Sequence, residues 1–428
     1  MTRCKLKAFF VVCTLAAIPL CAQEEIPGTT VFLSGPITSI EVIGLKRTKP
    51  HVARYPLEQF LGREGADLNL NEVEAAVRNT GILEPVLVEL AKAADSGADG
   101  GLALRVTVEE KWSIFPVPLV MAGSGETSFG LFLADTNAFG LRDQAVLGGI
   151  YGSSGWRAMA MYNLTADRRG LPDFTSLVMY NRRERKDSDR EKRIYRQYTA
   201  DELRLSLGLQ YPFTRHLSGS ITTSFTSISL ARNDPPQVST LVEIPERGAK
   251  LLALGPVLTL RYSTWDGFLL SQQSLSLRYS YSFALEGTSL QTVEFQGVYE
   301  QSLTPGFRLF VRSGALWKTG EDPLMEEGPQ KAQVDILPRQ FSARQYAGFS
   351  AGLEKYLFKA KYGTLSVLGA WQGVFSRGPI SGTEFDHGPS GGIRFYLSRL
   401  ALPALGAGVA YNMNSGLFQF TFSLGMGF

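Results

Sequence analysis

At 428 residues the chain has room for two domains, and a composition of 44% hydrophobic and 19% charged residues excludes both a disordered polymer and a bundle of membrane helices. The formal charge of +3 belongs to the first residues: once Arg3, Lys5 and Lys7 are set aside, the remaining basic residues balance the 40 acidic ones, which leaves no electrostatic case for binding nucleic acid. The 44 glycines, 26 phenylalanines and 16 tyrosines together suit many strands, many turns and aromatic girdles.

Residues 1–22 read as a secretory signal peptide. Arg3, Lys5 and Lys7 form its positive start, Phe9 to Leu20 its apolar run, and Ala22 the small residue at the cleavage position. All three cysteines (Cys4, Cys13 and Cys21) fall in this segment, so the mature chain needs neither disulfides nor thiolate chemistry. Lipid attachment at Cys21 is disfavoured because bulky Leu20 precedes it. No later stretch offers about 18 consecutive apolar residues. If the mature chain enters a membrane it must do so as a closed barrel, since only helices and closed barrels satisfy every backbone hydrogen bond in lipid.

Residues 31–112 read as a small α+β unit. Ile37 to Leu45 forms a strand, and residues 50–62 a short helix with Pro50 in its first turn. A second helix starts at the N-cap Asn69, with Glu72 three positions on. It carries Val73, Ala76 and Val77 on one face and stops at Gly81. Val86, Val88 and Leu90 alternate. A turn over Ser96–Gly101 leads to the alternating Leu102, Leu104, Val106 and Val108.

From residue 113 to residue 428 period-2 alternation recurs every 15 to 25 residues, giving about sixteen strands. In the last segment Phe418, Phe420, Phe422, Leu424, Met426 and Phe428 point one way, with small or polar residues between them. Leu275, Leu277, Tyr279, Tyr281 and Phe283 do the same against Ser274, Ser276, Arg278, Ser280 and Ser282. An arginine facing a watery lumen is tolerable, whereas at mid-depth in lipid it costs about 2–4 kcal/mol. The fold class is therefore mainly β: a transmembrane antiparallel barrel of about 16 strands after one small α+β domain. An even count puts both barrel ends on one side of the membrane. Short turns are expected at Pro305-Gly306 and Tyr362-Gly363, and long connections over 185–196, 232–248, 319–345 and 376–388.

The segments Ile40-Glu41-Val42-Ile43-Gly44-Leu45, Thr80-Gly81-Ile82-Leu83-Glu84-Pro85-Val86 and Val108-Glu109-Glu110-Lys111-Trp112 resemble, in order and spacing, a polypeptide-transport-associated (POTRA) domain. From residue 31 onward the chain resembles the BamA/TamA superfamily of outer-membrane assembly and translocation proteins, also called the bacterial surface antigen family. Asp135-Thr136-Asn137-Ala138-Phe139-Gly140 is similar to the family's turn after the second barrel strand, and Gly352-Leu353-Glu354-Lys355-Tyr356 to the strand after its sixth outer loop. Phe418, Phe420, Phe422 and Phe428 look like the terminal insertion signal. Ala343-Arg344-Gln345-Tyr346 matches the family's sixth-loop motif with its glycine replaced. The resemblance implies a loop folded into the lumen, with Arg344 and Tyr346 at its lock and Glu354 as substitute for a missing wall acid.

The resemblance further implies an outer-membrane protein with its POTRA domain in the periplasm, binding unfolded or secreted client polypeptides along the edge near Val86, Val88 and Leu90. Its other partners are outer-membrane lipids and periplasmic accessory proteins, with no nucleic acid. The alternative is a passive outer-membrane channel or surface antigen. No cofactor, metal or catalytic residue is expected: no nucleophile elbow, phosphate-binding loop or Cys/His zinc spacing appears, and His51, His216 and His387 read as a small-domain residue, a turn residue and an outer-loop residue. The charge-rich run Arg182–Arg193 reads as a solvated loop. The five tryptophans read as interfacial or packing residues.

Overall fold

The computed structural model describes residues 35–93, 101–123, 126–165, 171–214, 216–231, 238–239, 247–266, 269–304, 306–320, 324, 326, 328–338, 340–360, 363–379, 382–397 and 403–424. The expected leader, most of the Ser96–Gly101 turn, Pro305, Tyr362 and Phe428 lie outside these residues.

The N-terminal unit runs β1 (Ile37–Ile43), α1 (Pro50–Arg54), two 3-10 segments (Tyr55–Phe60 and Gly65–Asp67), α2 (Leu70–Arg78), β2 (Leu83–Lys92) and β3 (Leu102–Glu110). β3 is central, parallel to β1 and antiparallel to β2. Its alternating Leu104, Val106 and Val108 pack with Leu57, Phe60, Val73 and Val77 into one core. The helix expected over 50–62 changes to 3-10 geometry at Tyr55, because Pro56 has no N–H for the next helical bond. Asn69 caps α2 by accepting from the Asn71 amide at 3.0 Å.

The rest of the chain closes into an antiparallel barrel. Its strands are β4 (Ile114–Gly123), β5 (Glu126–Ala138), β6 (Asp143–Gly152), β7 (Gly155–Leu164), β8 (Asp173–Ser188), β9 (Ile194–Pro212) and β10 (Leu217–Leu230), then β12 (Ala249–Asp266), β13 (Leu269–Glu286), β14 (Leu290–Thr304), β15 (Phe307–Lys318), β16 (Gln345–Ala360), β17 (Gly363–Arg377), β18 (Thr383–Leu397), β19 (Pro403–Tyr411) and β20 (Phe418–Leu424). The two-residue β11 (Val238–Ser239) adds to β9, and β20 returns to β4. Sixteen strands make the wall, as the alternation requires. Leu131, Leu147, Leu207, Leu254, Leu277, Phe418 and Phe420 all face outward and are exposed. An apolar exterior on a closed sheet is a lipid-facing surface, and this is the architecture of outer-membrane barrels.

Two connections are shorter than the sequence suggests. β8 and β9 leave only 189–193 between them, and β17 and β18 only 378–382. Arg182–Arg193 is accordingly no solvated loop. Asp187 and Ser188 are buried, because the hairpin extends beyond the wall and folds over the lumen. His387 lies within β18, stacked near Trp371 with ring centroids 5.7 Å apart, and not in a loop.

The small unit is fastened to the barrel at the Asp135–Gly140 turn. The Glu110 carboxylate accepts the backbone N–H groups of Lys46 (2.9 Å), Arg47 (2.9 Å) and Thr48 (2.8 Å). So held, Arg47 reaches Ser113 at 2.7 Å and Asp135 at 2.5 Å, while Thr48 Oγ accepts from the Asn137 side chain at 2.9 Å. The Lys49 amide donates to the Gly140 carbonyl at 2.9 Å. Gly140 has φ +74°, and a Cβ there would stand 2.1 Å from the Arg47 carbonyl oxygen. Gly140→Ala is therefore expected to loosen the junction: limited proteolysis should cut between residues 110 and 114 faster while the barrel's heat-modifiability on gels is unchanged.

Burial alone would raise the Glu110 pKa, but the three N–H donors outweigh it and hold the group below the ordinary glutamate value. A depressed folded pKa stabilises above the unfolded value and ceases to as pH falls through the folded one. Amide protection factors at Lys46–Thr48, which correct for the intrinsic pH dependence of exchange, should be high above the ordinary glutamate range and fall as pH drops below it.

Candidate functional site

The segment joining β15 to β16 turns into the lumen. Ala332, Val334, Ile336, Leu337, Phe341 and Ala343 pack with Leu316, Tyr346, Val374 and Ala410 of the inner wall. Gly314 leaves room for it: a Cβ there would lie 1.9 Å from the Lys331 carbonyl oxygen. The Asp335 amide donates to Gln372 Oε1 at 2.7 Å, and Gln372 donates on to Ser390 Oγ at 2.9 Å. This apolar segment is a plug inside the barrel.

Charge fixes its outer edge. Glu326 of the plug is buried and accepts from Arg196 at 2.7 Å, Arg344 at 3.2 Å and Ser342 at 3.2 Å. Arg196, fully buried on β9, also grips Asp187 of β8 at 2.6 Å. Arg185 of β8 bonds Asp187 at 3.0 Å and donates to the plug carbonyls of Leu324 (2.8 Å) and Glu326 (2.7 Å). The Ser188 amide donates to the Gln340 carbonyl at 2.9 Å. Two carboxylates and three guanidiniums are thus paired largely out of water, with one positive charge in excess.

The expected lock is only partly assembled this way. Arg344 and Tyr346 do sit at the plug, with Tyr346 buried in its apolar cluster. Glu354 does not meet Arg344. It lies ten residues farther along the same chain, roughly 30 Å at about 3.3 Å per strand residue. There it forms a second cluster near the small-domain end of the wall. It accepts from Arg308 (2.5 Å), Arg394 (3.2 Å), Ser366 (2.5 Å) and Tyr396 (2.7 Å). Glu300 joins Arg308 at 2.7 Å and Arg312 at 2.6 Å. The plug carboxylate Glu326 meets the wall guanidinium of Arg196, a pairing of opposite polarity to the expected one, while Arg344 turns to the plug's own Glu326 and not to a wall acid. Residues Arg183, Arg185 and Asp187 recur every second position on one strand face, and that spacing was the available signal for them.

At the barrel's closing seam the β4 side lacks two backbone donors. Among the described residues β20 opposes β4 at Ala122–Phe422, Met121–Ser423 and Val120–Leu424, whereas β4 pairs with β5 from Ile114–Asp135 to Gly123–Glu126. The Ser113 carbonyl accepts from the Thr136 amide at 2.9 Å, so odd residues of β4 bond toward β5 and even residues toward β20. The next two even residues below Val120 are Pro118 and Pro116, which have no N–H to offer.

No family model matches the chain, and no curated protein matches it by sequence. Solved structures do. A crystal structure of BamA from Haemophilus ducreyi lacking POTRA domains 1–3 superposes with a TM-score of 0.58 at 12% identity, covering 92% of this chain and 84% of that one. CdiB from Acinetobacter baumannii gives 0.62 at 13%, covering 92% and 74%, and CdiB from Escherichia coli 0.62 at 14%, covering 92% and 76%. The chain has the fold of BamA and CdiB. At these identities the likeness speaks for architecture, and the residues of the plug and seam are this chain's own.

β2 is the open edge of the small sheet, pairing only with β3 among the described residues. β1 is partly covered, since Ile37 exchanges backbone bonds with Gly62 and Arg63. The register of β2 shifts at Val86, leaving Val86 and Leu87 exposed. Val88 and Leu90 pack against the core. The Ala93 amide bonds the Gly101 carbonyl at 3.0 Å. By alternation from there, Leu87, Glu89 and Ala91 bond toward β3, and Val88 and Leu90 present their backbone groups to the open side. What this edge offers is therefore backbone, with side-chain contact at Val86 alone of the three.

Removing one member of the buried plug network leaves an uncompensated charge, at about 3–5 kcal/mol, whereas the Arg344 side chain is 29% exposed and its pair is screened, at about 1 kcal/mol or less. Glu326→Ala should therefore lower the barrel's heat-modification midpoint far more than Arg344→Ala does.

Proposed function

We propose that the protein is an outer-membrane assembly or translocation factor. Client polypeptide is bound in the periplasm along β2, by strand addition to the backbone groups of Val88 and Leu90 beside exposed Val86. The barrel then receives the client at the β4–β20 seam. The observation that carries this reading is the seam: on the β4 edge that faces β20, the two donor positions beyond Val120 are Pro118 and Pro116, which have no N–H to give. A wall built to be a fixed pore gains nothing from a joint that cannot complete its ladder, and each unmade bond in lipid is costly. The likeness to BamA and CdiB agrees with it.

A passive channel is disfavoured by the plug, whose apolar cluster and ion pairs lie inside the barrel. Periplasmic accessory proteins would use the rest of the small domain, and lipids the barrel exterior.

Depletion distinguishes the readings: if other outer-membrane and secreted proteins stay at normal abundance when this one is lowered, the assembly reading fails. The seam has its own test. Met121 and Ser423 face each other at a non-hydrogen-bonded pair, where Cα atoms stand about 4.5 Å apart and a disulfide fits. Oxidised Met121→Cys/Ser423→Cys protein should lose its assembly activity and regain it on reduction. A locked barrel of undiminished activity would dispose of the seam mechanism.

A further inference from the structure

A chamber of about 540 Å³ lies between the plug and the inner wall. The seam lines it through Met121, Gln419, Thr421 and Phe422, and β7 and β8 line it through Arg157 and Arg183. Two other guanidiniums reach the chamber, and each is answered by a wall carboxylate: Arg312 by Glu300 at 2.6 Å and Arg394 by Glu354 at 3.2 Å. Among the described residues, Arg157 and Arg183 have no carboxylate in ion-pair contact. Glu202 attracts Arg183 from a distance, and Asp335 lines the same chamber without pairing to either. The two arginines also repel each other. The ladder puts Arg157 opposite Asn181 and Gly155 opposite Arg183, so both arginines lie on one inward face as diagonal neighbours.

Their depth is informative. Gly155 begins β7 directly after the tight Gly152–Gly155 hairpin, so the pair sits at the barrel end remote from the small domain. On the outside at that level are Tyr151, Trp156 and Tyr180, with Trp156 and Tyr180 ring centroids 5.0 Å apart. Aromatic rings of this kind mark the membrane–water boundary, where headgroup phosphates lie.

The geometry points to an oxyanion site of the phosphate class, bridging Arg157 and Arg183 inside the barrel. Two adjacent guanidinium forks match a tetrahedral dianion, which turns their mutual repulsion into attraction. The occupant comes either from a lipid headgroup presented at the seam or from free phosphate. The site stands apart from client handling, and its failure leaves that reading untouched.

The test uses full-length protein in an uncharged detergent, with thermal unfolding followed in sodium phosphate and in sodium chloride of equal ionic strength. Phosphate should raise the midpoint above chloride. Arg157→Gln and Arg183→Gln should each abolish the difference without lowering the midpoint in chloride, since each removes a repulsion. Arg182→Gln, one residue away on the outward face, should keep it. In wild-type protein phosphate should also slow phenylglyoxal modification of Arg157 and Arg183, which does not depend on any variant folding. Identical behaviour in phosphate and chloride, or a full phosphate response in the Arg157→Gln/Arg183→Gln double variant, overturns the proposal. The source is read in phosphate-free nanodiscs. A higher midpoint in phosphatidylglycerol than in a phosphate-free galactolipid, dependent on both arginines, assigns the occupant to a lipid. A response to free phosphate alone assigns it to solute.

Discussion

A sheet in lipid must pair both of its edges, because hydrocarbon offers nothing else for a backbone N–H or carbonyl to bond. Everything in this molecule answers to that closure. Sixteen strands supply the circumference, and the outward leucines and phenylalanines make the exterior acceptable to acyl chains. On the β4 edge that faces β20, Pro116 and Pro118 have no N–H to contribute to that closure. Under the proposed function these prolines mark the place where the cylinder opens.

Closure creates an interior, and the interior is organised by charge. Around Glu354 and around Glu326 carboxylates and guanidiniums are matched across several strands, so that each buried ion has an opposite ion and hydrogen-bonding neighbours. The Glu354 cluster ties β14, β15, β16, β17 and β18 together near the small domain. The Glu326 cluster ties the plug to the β8–β9 hairpin at the other end. That hairpin crosses the mouth: Arg190 reaches Glu384 of β18 at 3.3 Å and Lys192 donates to the Phe418 carbonyl of β20 at 3.3 Å. Plug, hairpin and seam strand are thus in one chain of contacts. At the opposite end Glu110 shapes the loop that carries Arg47 onto Asp135, which sets the small domain against the barrel's first turn.

The barrel was legible in the sequence because lipid imposes a two-residue period on every strand, and a period needs no partner to be seen. The centres of all sixteen strands follow from it. The small domain was legible for the same reason, joined to the cap at Asn69 and the stop at Gly81. Pro56 is equally visible, and its missing N–H is what turns the first helix to 3-10 geometry. Where charge replaced apolar alternation, reading from composition failed: Arg182–Arg193 has the makeup of a solvated loop, yet Arg185 and Asp187 alternate on a strand face.

What the sequence determined by itself is therefore the part that depends on local chain geometry: strand period, outward face, turn residues, caps, and prolines that cannot donate. What only the tertiary structure decided is which charges meet. Glu354 and Arg344 are close in number and about 30 Å apart in space, because an extended strand carries each residue about 3.3 Å onward. Glu326 and Arg196 are separated by 130 positions and stand 2.7 Å apart, because the plug returns through the lumen to the wall that β9 provides. Pairings of this kind are set by closure of the whole cylinder, and no segment of the chain contains them.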